Sequence, residues 1–143
     1  MHRHESLRPL SRGHQRVLFH AREMKWRGPD ALPAFLDFAR EALPRHLEAE
    51  ERVLLPAMDA RLPGGDPAIV RTREAHAAIR AEVARVAAGG PPAASPESVR
   101  ALSRLLHDHV RDQERCLFPL AERVLGEAGL AGVAKGLGGV FAI

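Results

Sequence analysis

The chain has one cysteine, Cys116, and no tyrosine. A single thiol excludes an intramolecular disulfide and argues against a structural zinc site built on cysteines. Aromatic residues make up only 4% of the sequence. No apolar run approaches the ~20 residues of a membrane span, because Lys135 interrupts even the apolar C-terminal tail. The start, Met1-His2-Arg3-His4-Glu5, lacks the apolar stretch of a signal peptide. A soluble, cytoplasmic protein is therefore expected, with no membrane partner. There is also no block of like charge. The net charge of +3 comes from arginines interleaved with Glu48, Glu50, Glu51, Glu74 and Glu82, which argues against a nucleic-acid surface.

At 143 residues, 45% hydrophobic and 27% charged, the chain has the size and composition of one globular domain. Ala, Leu, Arg and Glu dominate, and all lose little freedom in a helix, so an all-α fold is expected. Punctuation divides the chain into helices. Helix A spans about 7 to 26 and stops at Gly28-Pro29-Asp30, where Asp30 is placed to cap the next helix. Helix B follows over about 31 to 61, kinked at Pro44 and Pro56, and ends in Leu62-Pro63-Gly64-Gly65. Asp66-Pro67 opens helix C, which runs to about Ala88 before Gly89-Gly90-Pro91-Pro92. Ser95-Pro96-Glu97 opens helix D, which continues to about Leu125. Short connections between four amphipathic helices imply an up-down-up-down four-helix bundle over residues 1–125. Residues 126–143 form a Gly-rich apolar tail for which fraying or local docking is expected.

An internal repeat carries the chemistry. Around His46 the chain reads R-H-L-E-A-E-E-R-V-L-L-P, and around His109, 63 residues on, D-H-V-R-D-Q-E-R-C-L-F-P. Residues four apart lie about 40° apart on a helix, so His46 and Glu50 share a face and can grip one ion. Alone, such a pair is usually a solvated contact worth a few tenths of a kcal/mol. Heights single it out. At a rise of 1.5 Å per residue, His14 and His46 lie roughly 14 and 17 residues from the A/B turn, a mismatch of about 5 Å. His76 and His109 lie roughly 16 and 17 residues from the C/D turn, so all four imidazoles share one layer. Four histidines with Glu50 and Glu114 resemble the inward-facing ligand sets of di-iron carboxylate bundles. Imidazole and carboxylate suit iron first, with manganese or zinc as alternatives. Each carboxylate has two oxygens and could bridge two ions.

These features resemble a hemerythrin-like, HHE cation-binding domain over about residues 7 to 125. The resemblance rests on His14, on His46-Leu47-Glu48-Ala49-Glu50-Glu51 with Leu54-Leu55-Pro56, on His76-Ala77-Ala78-Ile79-Arg80, and on His109 through Glu114 with Leu117-Phe118-Pro119. It implies His46 and Glu50 as ligands in the first copy. In the second copy, oxygen-carrying relatives place an acid five after the histidine, here Glu114. Many bacterial HHE domains place it four after, where this chain has Gln113, so Glu114 is the expected ligand. The oxygen carriers also have a histidine one turn after the helix C ligand. Arg80 stands there, which argues against reversible oxygen carriage and for a more open or weakly held second metal.

The expected site is therefore a non-haem di-iron centre on His14, His46, Glu50, His76, His109 and Glu114. The resemblance implies binding of O2, NO or peroxide for sensing, storage or redox protection. Two other readings stand beside it: a di-iron enzyme reducing peroxide or nitric oxide, and a metal-free helical interaction module. His107, about 160° from His109, is expected on the surface, and His2, His4 and His20 outside the site. Glu51 is expected to pair with Arg52 or Arg80 behind the ligands. Cys116 is either a small buried hydrophobe or a thiol near the site's edge.

Overall fold

The computed structural model describes residues 2–141, and every regular element among them is helical. After a 3-10 turn at Glu5–Leu7, α1 (Arg8–Arg27) ends at Gly28, whose φ of 62° is a state that side chains disfavour. Asp30 does not cap the following helix. It lies inside a second 3-10 turn, Gly28–Ala31, whose own bond from the Leu32 N–H to the Pro29 carbonyl starts α2 without a side-chain cap. α2 (Leu32–Ala49) passes through Pro44, opens into a π-helical turn at Glu50–Leu54, and resumes as α3 (Leu55–Arg61). Asp66 then accepts the Ala68 N–H at 2.9 Å at the start of α4 (Pro67–Ala93).

α4 outlasts the expected end near Ala88 by reaching Ala93. A proline's fixed φ is a helical value, and residues 87–89, near the carbonyls that lose donors to Pro91 and Pro92, are exposed. Ser95 Oγ accepts the Ser98 N–H at 3.0 Å and starts α5 (Pro96–Asp112). A second π-helical turn, Gln113–Leu117, leads into α6 (Phe118–Phe141), which bends at Gly126 (φ 65°, ψ 179°).

α1 packs on α2 and α5, and α4 packs on the same two, so the four long runs close into a ring. Their apolar stripes fill two separate clusters. The upper holds Val17, Met24, Phe35, Leu43, Leu47, Ile79, Leu102, Leu106 and Val110; the lower holds Leu10, Leu54, Met58, Ile69, Leu117 and Phe118. Each fully buried Leu, Ile or Phe contributes about 1.5–3 kcal/mol of transfer free energy, so the clusters dominate stability.

The tail is helical up to Phe141 and docked by spacing: Leu130, Val133 and Leu137 enter the lower cluster. Gly136 lies so close to the first π-turn that a Cβ there would meet Val53 Cγ1 at 2.7 Å. Ala142 and Ile143, part of the apolar tail, lie outside the described residues. The run Pro96–Phe141 contains one stretch that is long and apolar enough, by composition alone, to cross a membrane, contrary to the expectation of none. Small and aliphatic residues of the tail raise its hydropathy, while Leu130, Val133, Leu137 and Val140 pack onto the bundle.

Candidate metal centre

Each long run carries its polar residues at the junction between the two clusters. On α1, His14 lies between Leu10 below and Val17 above; on α4, Thr72 and His76 lie between Ile69 and Ile79. His46 and Glu50 lie between Leu43 and Leu54, and His109 and Gln113 between Leu106 and Leu117. The layer is almost sealed: Glu50 and Gln113 are 0% exposed, His14 and His76 1%, His46 5% and His109 6%. Burying one unpaired charge costs several kcal/mol, so such a layer requires mutual compensation.

Glu50 provides it. Its Oε2 accepts from His46 Nε2 at 3.0 Å and lies 3.6 Å from His14 Nε2. Its Oε1 accepts from His76 Nε2 at 2.8 Å and from Gln113 Nε2 at 2.7 Å. Gln113 Oε1 in turn accepts from His14 Nε2 at 2.6 Å. The rings pair across helices, His14 with His46 at a centroid distance of 4.9 Å and His76 with His109 at 5.1 Å. Ligand atoms of His14, His46 and Glu50 form one group spaced for a cation, and those of Glu50, His76 and His109 a second. Glu50 belongs to both.

Behind the inner layer, two partly exposed carboxylates hold the outer ring nitrogens. His14 Nδ1 donates to Glu114 at 2.6 Å, and His76 Nδ1 donates to Glu51 at 2.7 Å. Ser11 and Arg3 support Glu114; Arg80 grips both oxygens of Glu51 at 2.6 and 2.9 Å. Burial opposes charge on His14, yet Glu114 and Glu50 outweigh it and hold the ring up to about 9. His76 is raised by Glu50 and Glu51, again against burial. Burial pushes His109 down to about 4, helped by the neighbouring His76, His14 and His46 rings over the pull of Glu50. The Glu50 carboxyl is itself buried, but His46, His14 and His76 hold it well below its usual range.

The expected residues His14, His46, Glu50, His76 and His109 thus meet in one layer. Glu114 does not join them. It lies on the outer side of the His14 ring, 30% exposed, and Gln113 takes the inward position facing Glu50. The reason is angular: four residues after a histidine is the same helix face, whereas five is about 140° round. Both copies obey this, with Glu50 and Gln113 inside and Glu51 and Glu114 outside. Thr72 also escaped the sequence reading; its hydroxyl donates to the Ala68 carbonyl at 2.9 Å inside the layer. Cys116 is exposed and so is not a core residue. His107 is exposed too, and His20 stacks on Phe38 at 4.5 Å, away from the site.

Both copies also share the π-turn. The Leu55 N–H bonds to the Glu50 carbonyl and the Phe118 N–H to the Gln113 carbonyl, five residues back in each case. Pro56 and Pro119 follow directly. Their rings would crowd the carbonyls four residues back, and a widened turn relieves that crowding. The repeated proline is thus part of how each inner ligand is presented.

Two features test the fit to a cation. His109 Nε2 is buried with no hydrogen-bond partner among the described residues, an unusual cost that a metal bond would remove. Gly13 leaves the space that the His46 ring occupies: a Cβ there would lie 2.4 Å from His46 Nδ1. Nitrogen donors from four imidazoles with a shared carboxylate suit a divalent transition metal. No curated protein and no solved structure matches the chain significantly. The model of the hemerythrin HHE cation binding domain matches residues 1–121, so the chain belongs to that family.

Proposed function

We propose that this domain holds two iron ions and uses them to bind a small ligand such as O2, NO or peroxide, for sensing, storage or redox protection. The observation that carries this reading is the division of Glu50, whose two oxygens face different histidine pairs inside one buried layer. Position one would use His14, His46 and Glu50; position two would use His76, His109 and Glu50. Iron ranks ahead of zinc and manganese because a mixed imidazole–carboxylate set with open positions suits it. When bound, iron supplies electrons to oxygen or peroxide and an open coordination position for nitric oxide.

The remaining residues prepare the ligands. Glu114 and Glu51 fix which nitrogen of His14 and of His76 points inward, and so set tautomer and aim before a cation arrives. Leu10, Leu106, Leu117 and Phe118, all fully buried, enclose the layer in hydrocarbon. Low polarity there strengthens every charge interaction at the centre.

The test is elemental analysis by mass spectrometry on tag-free protein, beside its visible spectrum in air. Close to two irons per chain with oxo-bridge charge-transfer bands is the expected result. A His46→Ala, His109→Ala double variant should lose the iron while keeping its helical spectrum. Zinc alone, or retention of iron in that variant, overturns the assignment.

A further inference from the structure

The two copies of the repeat superimpose residue by residue in role: His46 with His109, Glu51 with Glu114, Pro56 with Pro119. The inner ligand breaks the symmetry, being a carboxylate in one copy, Glu50, and an amide in the other, Gln113. The difference is chemical. A carboxylate offers oxygen on both sides and can serve two cations, whereas an amide offers one oxygen and an NH2 that carries protons and cannot bind a cation.

Its orientation is dictated by its neighbours. The Gln113 NH2 donates to Glu50 Oε1 at 2.7 Å, and its oxygen faces His14 Nε2 at 2.6 Å. Turned the other way, the amide oxygen would meet the carboxylate oxygen of Glu50, two acceptors with no proton between them. The amide oxygen therefore serves the His14/His46 side, and the NH2 occupies the Glu50 oxygen that serves the His76/His109 side.

We propose that Gln113 makes the two ion positions unequal: the His14/His46 position is firmly held, and the His76/His109 position is exchangeable and takes the external ligand. This rests on the two-ion reading above. The firm position has four protein donors, His14, His46, Glu50 and the Gln113 oxygen. The other has three, His76, His109 and Glu50, and Arg80 one turn beyond His76 is engaged by Glu51 and adds none.

Access follows the same asymmetry. His109 lines a surface depression of about 280 Å³ between α4 and α5, with Glu74, Asp108 and Asp112 at its walls and Arg71 bound to Asp112. The depression beside His46 is smaller, about 130 Å³, and is walled by Arg16 and Arg45. A cation approaching the first meets carboxylates; approaching the second, it meets guanidinium groups. Charge and space both favour exchange on the His109 side.

The experiment is an anaerobic titration of chelator-treated protein with Fe2+, followed by calorimetry, and by mass spectrometry after gel filtration. The native chain should bind two ions in classes at least tenfold apart in affinity and retain about one after filtration. Gln113→Glu should bring the classes within about threefold and retain two. His109→Ala should remove only the weaker class, and His14→Ala the stronger. Equal classes in the native chain, or loss of the stronger class in His109→Ala but not in His14→Ala, would overturn the proposal while leaving the two-ion reading intact. Absence of binding by the native chain overturns both. If circular dichroism shows Gln113→Glu unfolded, the native titration and the two histidine variants decide.

Discussion

Among single residues, Gly13 constrains the centre most tightly, although it has no functional group. Alanine is preferred to glycine inside a helix by roughly 1 kcal/mol, so propensity alone favours Gly13→Ala. Space forbids it: the added Cβ would lie 2.4 Å from His46 Nδ1 and 2.8 Å from Cε1. The ring is buried and bonded to Glu50, so it cannot swing aside without leaving the ion position. Gly13→Ala should keep its helical circular-dichroism spectrum and lose at least tenfold in Fe2+ affinity by titration. Unchanged affinity would show that the ring moves freely. Arg80 separates stability from function in the opposite way. It is half exposed, and such ion pairs contribute about 0–1 kcal/mol. Yet it anchors Glu51, which aims His76. Outer partners of this kind typically change metal affinity about 10–100-fold, so Arg80→Ala should weaken Fe2+ binding with little change in melting temperature. A large melting shift with native affinity would refute that role.

The elements show which features local sequence chemistry determines. Breaks at Gly28-Pro29, at Leu62 through Gly65 and at Ser95-Pro96 follow from turn and cap residues, and the height of the polar layer follows from a constant helical rise. The second inner ligand is different. Expecting Glu114 follows the chemistry of a carboxylate, while the helix angle selects Gln113; packing obeys the angle because the neighbouring helices fix which face is inside. The π-turns leave no periodic trace and show themselves only through the prolines that end each copy. The tail is hard to read for another reason: its glycines weaken helix propensity, and contact with the lower cluster overrides it. That contact predicts a large effect. At about 1.5–3 kcal/mol for each buried Leu or Val, losing Leu130, Val133 and Leu137 removes roughly 4–9 kcal/mol, comparable to a whole domain's stability. A chain ending at Gly126 should be largely unfolded by calorimetry. Gly126→Ala, at a φ of 65°, should lose about 1–3 kcal/mol by denaturant titration. A truncated chain melting like the intact one would show that the tail contact contributes nothing.

For the molecule as a whole, placing ionisable groups between two apolar clusters ties folding to pH through opposing histidines. His14, ordinarily near 6.5, is held up to about 9 when folded, because Glu114 and Glu50 outweigh burial. Between those values the folded chain keeps a proton that the unfolded chain releases, so stability falls as pH rises from about 6.5 to 9. His76, also raised by Glu50 and Glu51, acts in the same direction. His109 is pushed down to about 4 by burial, and between about 6.5 and 4 the unfolded chain takes a proton that the folded chain refuses. Stability therefore also falls with acidity, more steeply once Glu50, Glu51 and Glu114, all lowered by their partners against burial, begin to protonate. Chelator-treated protein should melt highest near pH 6.5 and lower on both sides, as followed by calorimetry from pH 4 to 9. A cation at His14 and His76 takes the place of their inward protons, so Fe2+ under nitrogen should raise the curve and flatten its alkaline arm. Each ion contributes about 2.7 kcal/mol to the rise at a free metal concentration 100 times its own dissociation constant. An alkaline arm that is flat already without metal would mean that His14 is neutral in the folded chain, and that Glu50 draws its compensating charge from elsewhere.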